Sequence, residues 1–375
     1  MISFTPSHLS VTWADGLSHS FHPIWLRERS FEEDNKDPLT GHRLEEVAFL
    51  PPDLGLSDAV ETDDVIALTF TDGHRCQYHR DDLRRQATDL FAKDLIGDKQ
   101  LWDHALDTWP DHTLADLASN DGETESRALL AMLNDVARLG FARVSGVSTD
   151  MDGLKSLCDL IGPMRSTNWG TIADVKSIAN AYDLSMTGRA LEPHVDNPYR
   201  LPGPGYIFLH CLQNDAIGGE SVIIDGFNVA ERVRQRDPKA FEILTKTLVN
   251  FHYNNDVAIL DHYGALIELG PLGELFRMRF HNRADQVPAY APDVLSAYYA
   301  ARRIMAEEVW SDDNTLRFRL KPGEVLVVDN YRLFHGRTAI DLATGDRHLR
   351  QCYVDRDIVS SCQKRLLRDL APSSP

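Results

Sequence analysis

The stretch LEPHVDNPYR, residues 191 to 200, sets His194 and Asp196 on either side of a single residue. In an extended segment successive side chains point to opposite faces, so an imidazole and a carboxylate two positions apart face the same side. Such a pair begins a facial metal site, which needs a third ligand from elsewhere in the chain and keeps coordination positions open for substrates. The run KPGEVLVVDNYRLFHGRTAI offers that ligand: a Pro-Gly turn, an apolar strand, and His335 at the strand's polar end. Shortly beyond it, in GDRHLRQCY, stands Arg347. An iron(II) site that uses 2-oxoglutarate needs a residue of this kind. The cosubstrate chelates metal through its keto acid end, and its far carboxylate is best held by a planar, bidentate cation. Histidine, aspartate, histidine and arginine in this order point to a ferrous centre that takes 2-oxoglutarate and dioxygen.

Alone, the triplet says little. A second one, His79 to Asp81, lies in the N-terminal part and reads as solvated surface. Two histidines and a carboxylate also hold zinc in hydrolases, but nothing around His194 resembles an H-E-x-x-H helix. A pocket that only binds a ligand, without catalysis, is the remaining alternative, and the full set of metal and cosubstrate residues disfavours it.

The elements that must position these residues fall into two parts. Up to about residue 95 the chain reads as short strands, LSVTW, SHSFHPIWLR and DVIALTFTDGHRCQYHR, the last with an Asp-Gly hairpin signal. Residues 96 to 124 mix polar residues with Pro and Gly and are expected to be a connection. From 125 to 375, helical spacing in ESRALLAMLNDVARLG, DGLKSLCDLIG, DPKAFEILTKTLVNF and DVLSAYYAARRIMAEEVW is interspersed with strand-like runs such as GYIFLHCL, ESVIIDG and GEVLVVDN. Many strands without regular βαβ alternation predict an α+β protein: a sheet-rich catalytic domain such as a jelly roll with flanking helices, plus a small β-rich N-terminal domain.

Composition narrows the partners. Lys plus Arg number 39 against 57 Asp plus Glu, a formal charge of −18 that repels phosphate backbones, so no nucleic-acid partner is expected. No segment supplies the roughly 20 apolar residues of a spanning helix, and the N-terminus lacks a signal pattern, so a cytoplasmic protein without membrane partners is expected. Five scattered cysteines give neither a disulfide framework nor a Cys-x-x-Cys metal site.

The run from Pro193 to Leu244, together with WLRERS, DPLTGHRL, RLKPGEVLVVDNYRLFHGRTA and RHLRQCYVDRD, resembles the γ-butyrobetaine hydroxylase family. These are taurine dioxygenase-like Fe(II) and 2-oxoglutarate oxygenases that include trimethyllysine hydroxylase. The resemblance implies a distorted double-stranded β-helix, a homodimer, iron on His194, Asp196 and His335, 2-oxoglutarate on Arg347, and hydroxylation of a small quaternary-ammonium substrate. Two departures stand out. Where the family's N-terminal domain has three cysteines and a histidine on zinc, this chain has Ser30, Glu32, Asn35 and His74, so no zinc is expected. In the cation cage, Trp169 and Tyr353 are matched, but Ala173 and Met186 replace a tryptophan and a tyrosine. Asn197 and Asn282 are counted among the substrate contacts, with Arg283 beside the latter. This extra cation suits a phosphonate head better than a carboxylate. Hydroxylation of 2-trimethylaminoethylphosphonate is thus the first expectation, and that of γ-butyrobetaine to L-carnitine the second.

Overall fold

The computed structural model describes residues 1–30, 32, 35–88, 99–119, 121–176 and 186–370. The chain divides into two units, Met1–Leu95 and Ile96–Pro375. No helix among the described residues is long and apolar enough to cross a membrane.

The smaller unit holds two three-stranded antiparallel sheets, Ile2–Thr5, His8–Thr12 and Ser18–Phe21 in one, Leu56–Thr62, Val65–Phe70 and Arg75–His79 in the other. Alternating residues Leu9 and Val11, Ile66, Leu68 and Phe70, and Cys76 and Tyr78 turn inward to one apolar cluster. SHSFHPIWLR, expected as one strand, changes to helix after Phe21. Pro23 occupies the first turn of the helix Pro23–Glu28, and the His22 ring caps it by accepting from the Ile24 amide at 3.2 Å.

Ser30, Asn35 and His74 are brought together here by hydrogen bonds. Asn35 Nδ2 donates to the Ser30 carbonyl at 2.9 Å, Arg27 donates to Asn35 Oδ1 at 2.9 Å, and His74 Nε2 lies 3.2 Å from Ser30 Oγ. An amide and a hydroxyl are poor zinc donors beside thiolates. Elemental analysis of the purified protein is therefore expected to find iron without stoichiometric zinc, and one zinc per chain would refute this account of Ser30, Glu32 and Asn35.

The larger unit is centred on two sheets, with three smaller ones of two or three strands beside them among the described residues. One has the strand order Asp111–Thr113, Phe141–Ser145, Val325–Asp329, Tyr206–Asn214, Arg347–Val354 and Ile172–Lys176. The other has the order Leu191–His194, Leu333–Arg337, Ser221–Asp225 and Thr315–Phe318. Ile207, Leu326, Val328 and Leu349 of the first sheet and Ile223 and Leu316 of the second share one apolar cluster. The helices Gly122–Leu139 and Arg356–Asp369 bury their inner faces with residues of the six-stranded sheet. Helices Gly226–Arg236, Pro238–Lys246 and Pro292–Val309 form a third cluster with Val195, Phe251 and Phe280.

Two expectations are corrected here. Residues 96–124 are part of this unit rather than a connection: Trp102 and Leu117 are core residues, and Asp111–Thr113 pairs in parallel with Arg143–Ser145. His335 does not end the strand GEVLVV. That strand stops at Asp329, and His335 lies on the next one, in the other sheet. Arg332 fixes the crossing. Its side chain is fully buried, donating to both carboxylate oxygens of Asp225 at 3.0 and 2.7 Å and to the Arg138 carbonyl at 2.8 Å. A buried charge held by a carboxylate and a carbonyl admits one path for the backbone around it.

Candidate active site

His194 and His335 are direct cross-strand partners in the four-stranded sheet. An irregularity in the register between Leu191 and His194, a stretch that includes Pro193, sets the two imidazoles opposite each other with ring centroids 4.4 Å apart. Gly336 makes the approach possible, because a Cβ there would meet the Leu191 carbonyl oxygen at 2.6 Å. Val195 turns away into the apolar cluster, while Asp196, just past the strand end, returns to the side of His194. Asp196 Oδ1 lies 3.3 Å from His194 Nε2 and 3.5 Å from His335 Nε2. One donor atom from each residue falls within 4.8 Å of the others, and among the described residues no other group of three such side chains converges in this way.

The protonation states suit a cation. Burial by itself would raise the Asp196 carboxyl, but the imidazoles, His335 foremost, hold it well below the usual carboxylate range. Burial, then the neighbouring His335, pushes His194 down, so its ring is neutral. Its Nδ1 lies 2.8 Å from the Glu192 carbonyl oxygen, which places the proton there and leaves the Nε2 lone pair toward Asp196. An anionic carboxylate and a neutral imidazole are the forms that bind metal. These residues therefore fit a divalent ion such as iron(II).

Asn330, at the crossing between the sheets, pins the backbone here. Its Oδ1 accepts from the Asp196 amide at 2.7 Å, and its Nδ2 donates to the carbonyls of Asp196 and Pro204, each at 3.0 Å. Asn197 follows with φ of 51°, in the left-handed region that asparagine tolerates. Tyr199 donates to Asn197 Oδ1 at 2.6 Å, so Nδ2 is the free end of the amide, buried and without an acceptor.

All three donors open into a cavity of about 1050 Å³. Arg347 lines it and is 5% exposed. Its Nε donates to the Gly219 carbonyl at 3.1 Å, and no carboxylate among the described residues pairs with it. Burial, then the nearby Arg337, lowers its pKa to about 10, which leaves it charged at neutral pH. Gly219, at φ of 68°, gives it room: a Cβ would sit 2.8 Å from Arg347 Cδ.

Trp169, Met186, Asn197, Arg283 and Tyr353 also line the cavity. Asn282 does not. In the turn after Phe280 it is exposed, while His281 and Arg283 on either side face the cavity. His281 was not anticipated: it packs edge-on to His194 at 5.1 Å, its Nδ1 is buried without a partner, and burial, then His194, keeps it neutral. Tyr199 and Tyr253 were not anticipated either. Tyr253 stands nearly perpendicular to Trp169 at 5.2 Å and stacks on Tyr199 at 5.1 Å, which makes an aromatic corner where Ala173 and Met186 leave the expected cage open. Arg200 lies 5.3 Å from the Trp169 centroid, so an internal cation already meets that ring.

Residues 108–353 match the family described as taurine catabolism dioxygenase TauD, TfdA. The γ-butyrobetaine dioxygenase of Pseudomonas sp. (strain AK-1) is 34% identical over 366 residues, which span 94% of this chain and 91% of the relative. The mitochondrial trimethyllysine dioxygenase of Gallus gallus is 29% identical over 372 residues, 96% of this chain and 86% of its own. A solved asparagine oxygenase, in complex with Fe(II), 2S,3S-3-hydroxyasparagine and succinate, shares the fold with a TM-score of 0.51 at 18% identity, covering 62% of this chain and 79% of its own.

Proposed function

Since the chain belongs to the TauD, TfdA family of dioxygenases, we propose that it hydroxylates a C–H bond of a small trimethylammonium zwitterion, with His194, Asp196 and His335 on iron and Arg347 on 2-oxoglutarate. It is an iron(II)- and 2-oxoglutarate-dependent dioxygenase. Iron(II), 2-oxoglutarate and dioxygen supply the oxidation that places one oxygen atom in a C–H bond, with succinate and carbon dioxide as coproducts. The two sheets are read as a distorted double-stranded β-helix.

The observation that carries the substrate class is the cavity itself. It joins the three metal donors and a buried arginine to an aromatic corner of Trp169 and Tyr253. Ring faces attract a cation by roughly 0.5–2 kcal/mol each, so the corner suits a trimethylammonium group, as the names of both relatives suggest. Arg283 and the unpartnered Asn197 Nδ2 offer donors to an acidic head. This chain contributes placement: one end held by rings, the other by donors, and a methylene between them beside the metal.

Arg283 favours a dianionic phosphonate head over a carboxylate. Likeness to the Pseudomonas γ-butyrobetaine dioxygenase supports the carboxylate as the second reading. A panel of trimethylammonium carboxylates and phosphonates, scored by 2-oxoglutarate-dependent oxygen uptake, succinate and product mass, separates them. At least one member is expected to yield a product heavier by one oxygen, with 2-trimethylaminoethylphosphonate ahead of γ-butyrobetaine. A hydrolase or a binding protein would consume no oxygen with any member, and the reverse order would assign the carboxylate.

A further inference from the structure

The two oxygens of Asp196 have different partners. Oδ1 faces both imidazoles, whereas Oδ2 accepts a hydrogen bond from the Tyr353 hydroxyl at 2.8 Å. Gln351 Nε2 donates to the Tyr353 oxygen at 3.0 Å. That contact takes one of the hydroxyl's lone pairs and turns its single proton toward Asp196. Tyr353 and Gln351 lie on the strand that also carries Arg347, two residues apart and so on one face of it.

We propose that Tyr353 is a positioning residue that holds Asp196 with one oxygen on the metal. With the backbone of Asp196 pinned by Asn330 and Oδ2 engaged by Tyr353, the carboxylate presents Oδ1 alone and leaves the remaining coordination positions for cosubstrate and oxygen. Freed from the phenol, the carboxylate could rotate and close a second bond, which would occupy a position needed for chemistry. Tyr353 also lines the cavity, so the side chain that orients the metal carboxylate is one that a substrate held there would meet. A cation against its ring draws electron density from the phenol and strengthens its donation to Asp196. Substrate arrival is thus felt at the metal through one side chain.

This role rests on the assignment of the three metal ligands, and the experiment separates the two. Tyr353→Phe keeps the ring and removes only the hydroxyl, so the fold is retained and a thermal melt checks it. Anaerobic calorimetry with iron(II), repeated with manganese(II), is expected to show a fall in affinity of roughly 10–100-fold, the usual effect of losing a partner of a metal ligand. KM for 2-oxoglutarate rises less than in Arg347→Met, because the arginine that holds its far carboxylate is intact. The ratio of succinate to hydroxylated product rises above the wild-type value as decarboxylation separates from hydroxylation. Gln351→Leu, which touches no metal ligand, moves metal affinity in the same direction by less. His335→Ala is measured in parallel. If it loses metal while Tyr353→Phe keeps wild-type affinity and coupling, the positioning role is overturned alone. If both bind metal as wild type does, the ligand assignment falls and takes this role with it.

Discussion

His335→Ala is expected to abolish succinate formation and oxygen uptake while the protein melts as a folded chain. Losing a direct ligand should exceed the roughly 10–100-fold cost of losing an outer partner, and two donors on one edge cannot keep a divalent ion against water. The fold survives for a local reason. His335 faces the cavity rather than a packed core, and its Nδ1 is buried without a hydrogen-bond partner, so truncation breaks only the Nε2 contact with Asp196. Removing it also takes away the neighbour foremost in holding the Asp196 carboxyl low. Thermal denaturation, calorimetry with iron(II) and succinate release read the three consequences separately. Retained turnover would end the assignment of His335 to the metal.

The four residues of the proposed centre are read from type, spacing and resemblance together, and the structure brings His194, Asp196 and His335 to one point. An imidazole two positions from a carboxylate works on any extended segment, and the distant histidine and arginine stood in order. What the sequence hid is the path between them. In VLVVDNYRLFH the polar Asp329 and Asn330 separate two apolar runs, but nothing in them says that the second run belongs to another sheet. The crossing is specified by Arg332 reaching Asp225 and by Asn330 reaching Asp196, contacts between residues far apart in the chain. Asp225 shows the same difficulty. It ends a strand and at once caps the helix Gly226–Arg236 through its contact with the Phe227 amide at 3.0 Å, so that helix was masked by the strand before it. Asn282 was placed by resemblance alone, and a single turn decides that His281 and Arg283 face the cavity instead. Tyr253 had no signal beyond being one aromatic among many.

Arg347→Met is expected to weaken 2-oxoglutarate strongly without weakening the fold. Truncating one member of a buried, hydrogen-bonded charge pair costs about 2–5 kcal/mol of binding, which corresponds to a rise in KM for 2-oxoglutarate of roughly 30-fold or more. Arg347→Lys keeps the charge but loses the planar fork, so it falls between wild type and methionine. Stability moves the other way. Arg347 is buried near Arg337, whose pKa burial and Arg283 push down to about 10, and each arginine depresses protonation around it. With no carboxylate paired to Arg347 among the described residues, removing its charge relieves an uncompensated burial, and the methionine variant is expected to melt at or above the wild-type temperature. Arg337 is the rival anchor, since it lines the same cavity, but its guanidinium is engaged by the Thr187 and Arg189 carbonyls at 2.6 and 2.8 Å. A keto acid without the far carboxylate, 2-oxopentanoate, tells the two apart. Wild type should discriminate strongly for 2-oxoglutarate, and Arg347→Met should lose most of that preference. If the preference survives in Arg347→Met and vanishes in Arg337→Met, the cosubstrate is anchored by Arg337 instead.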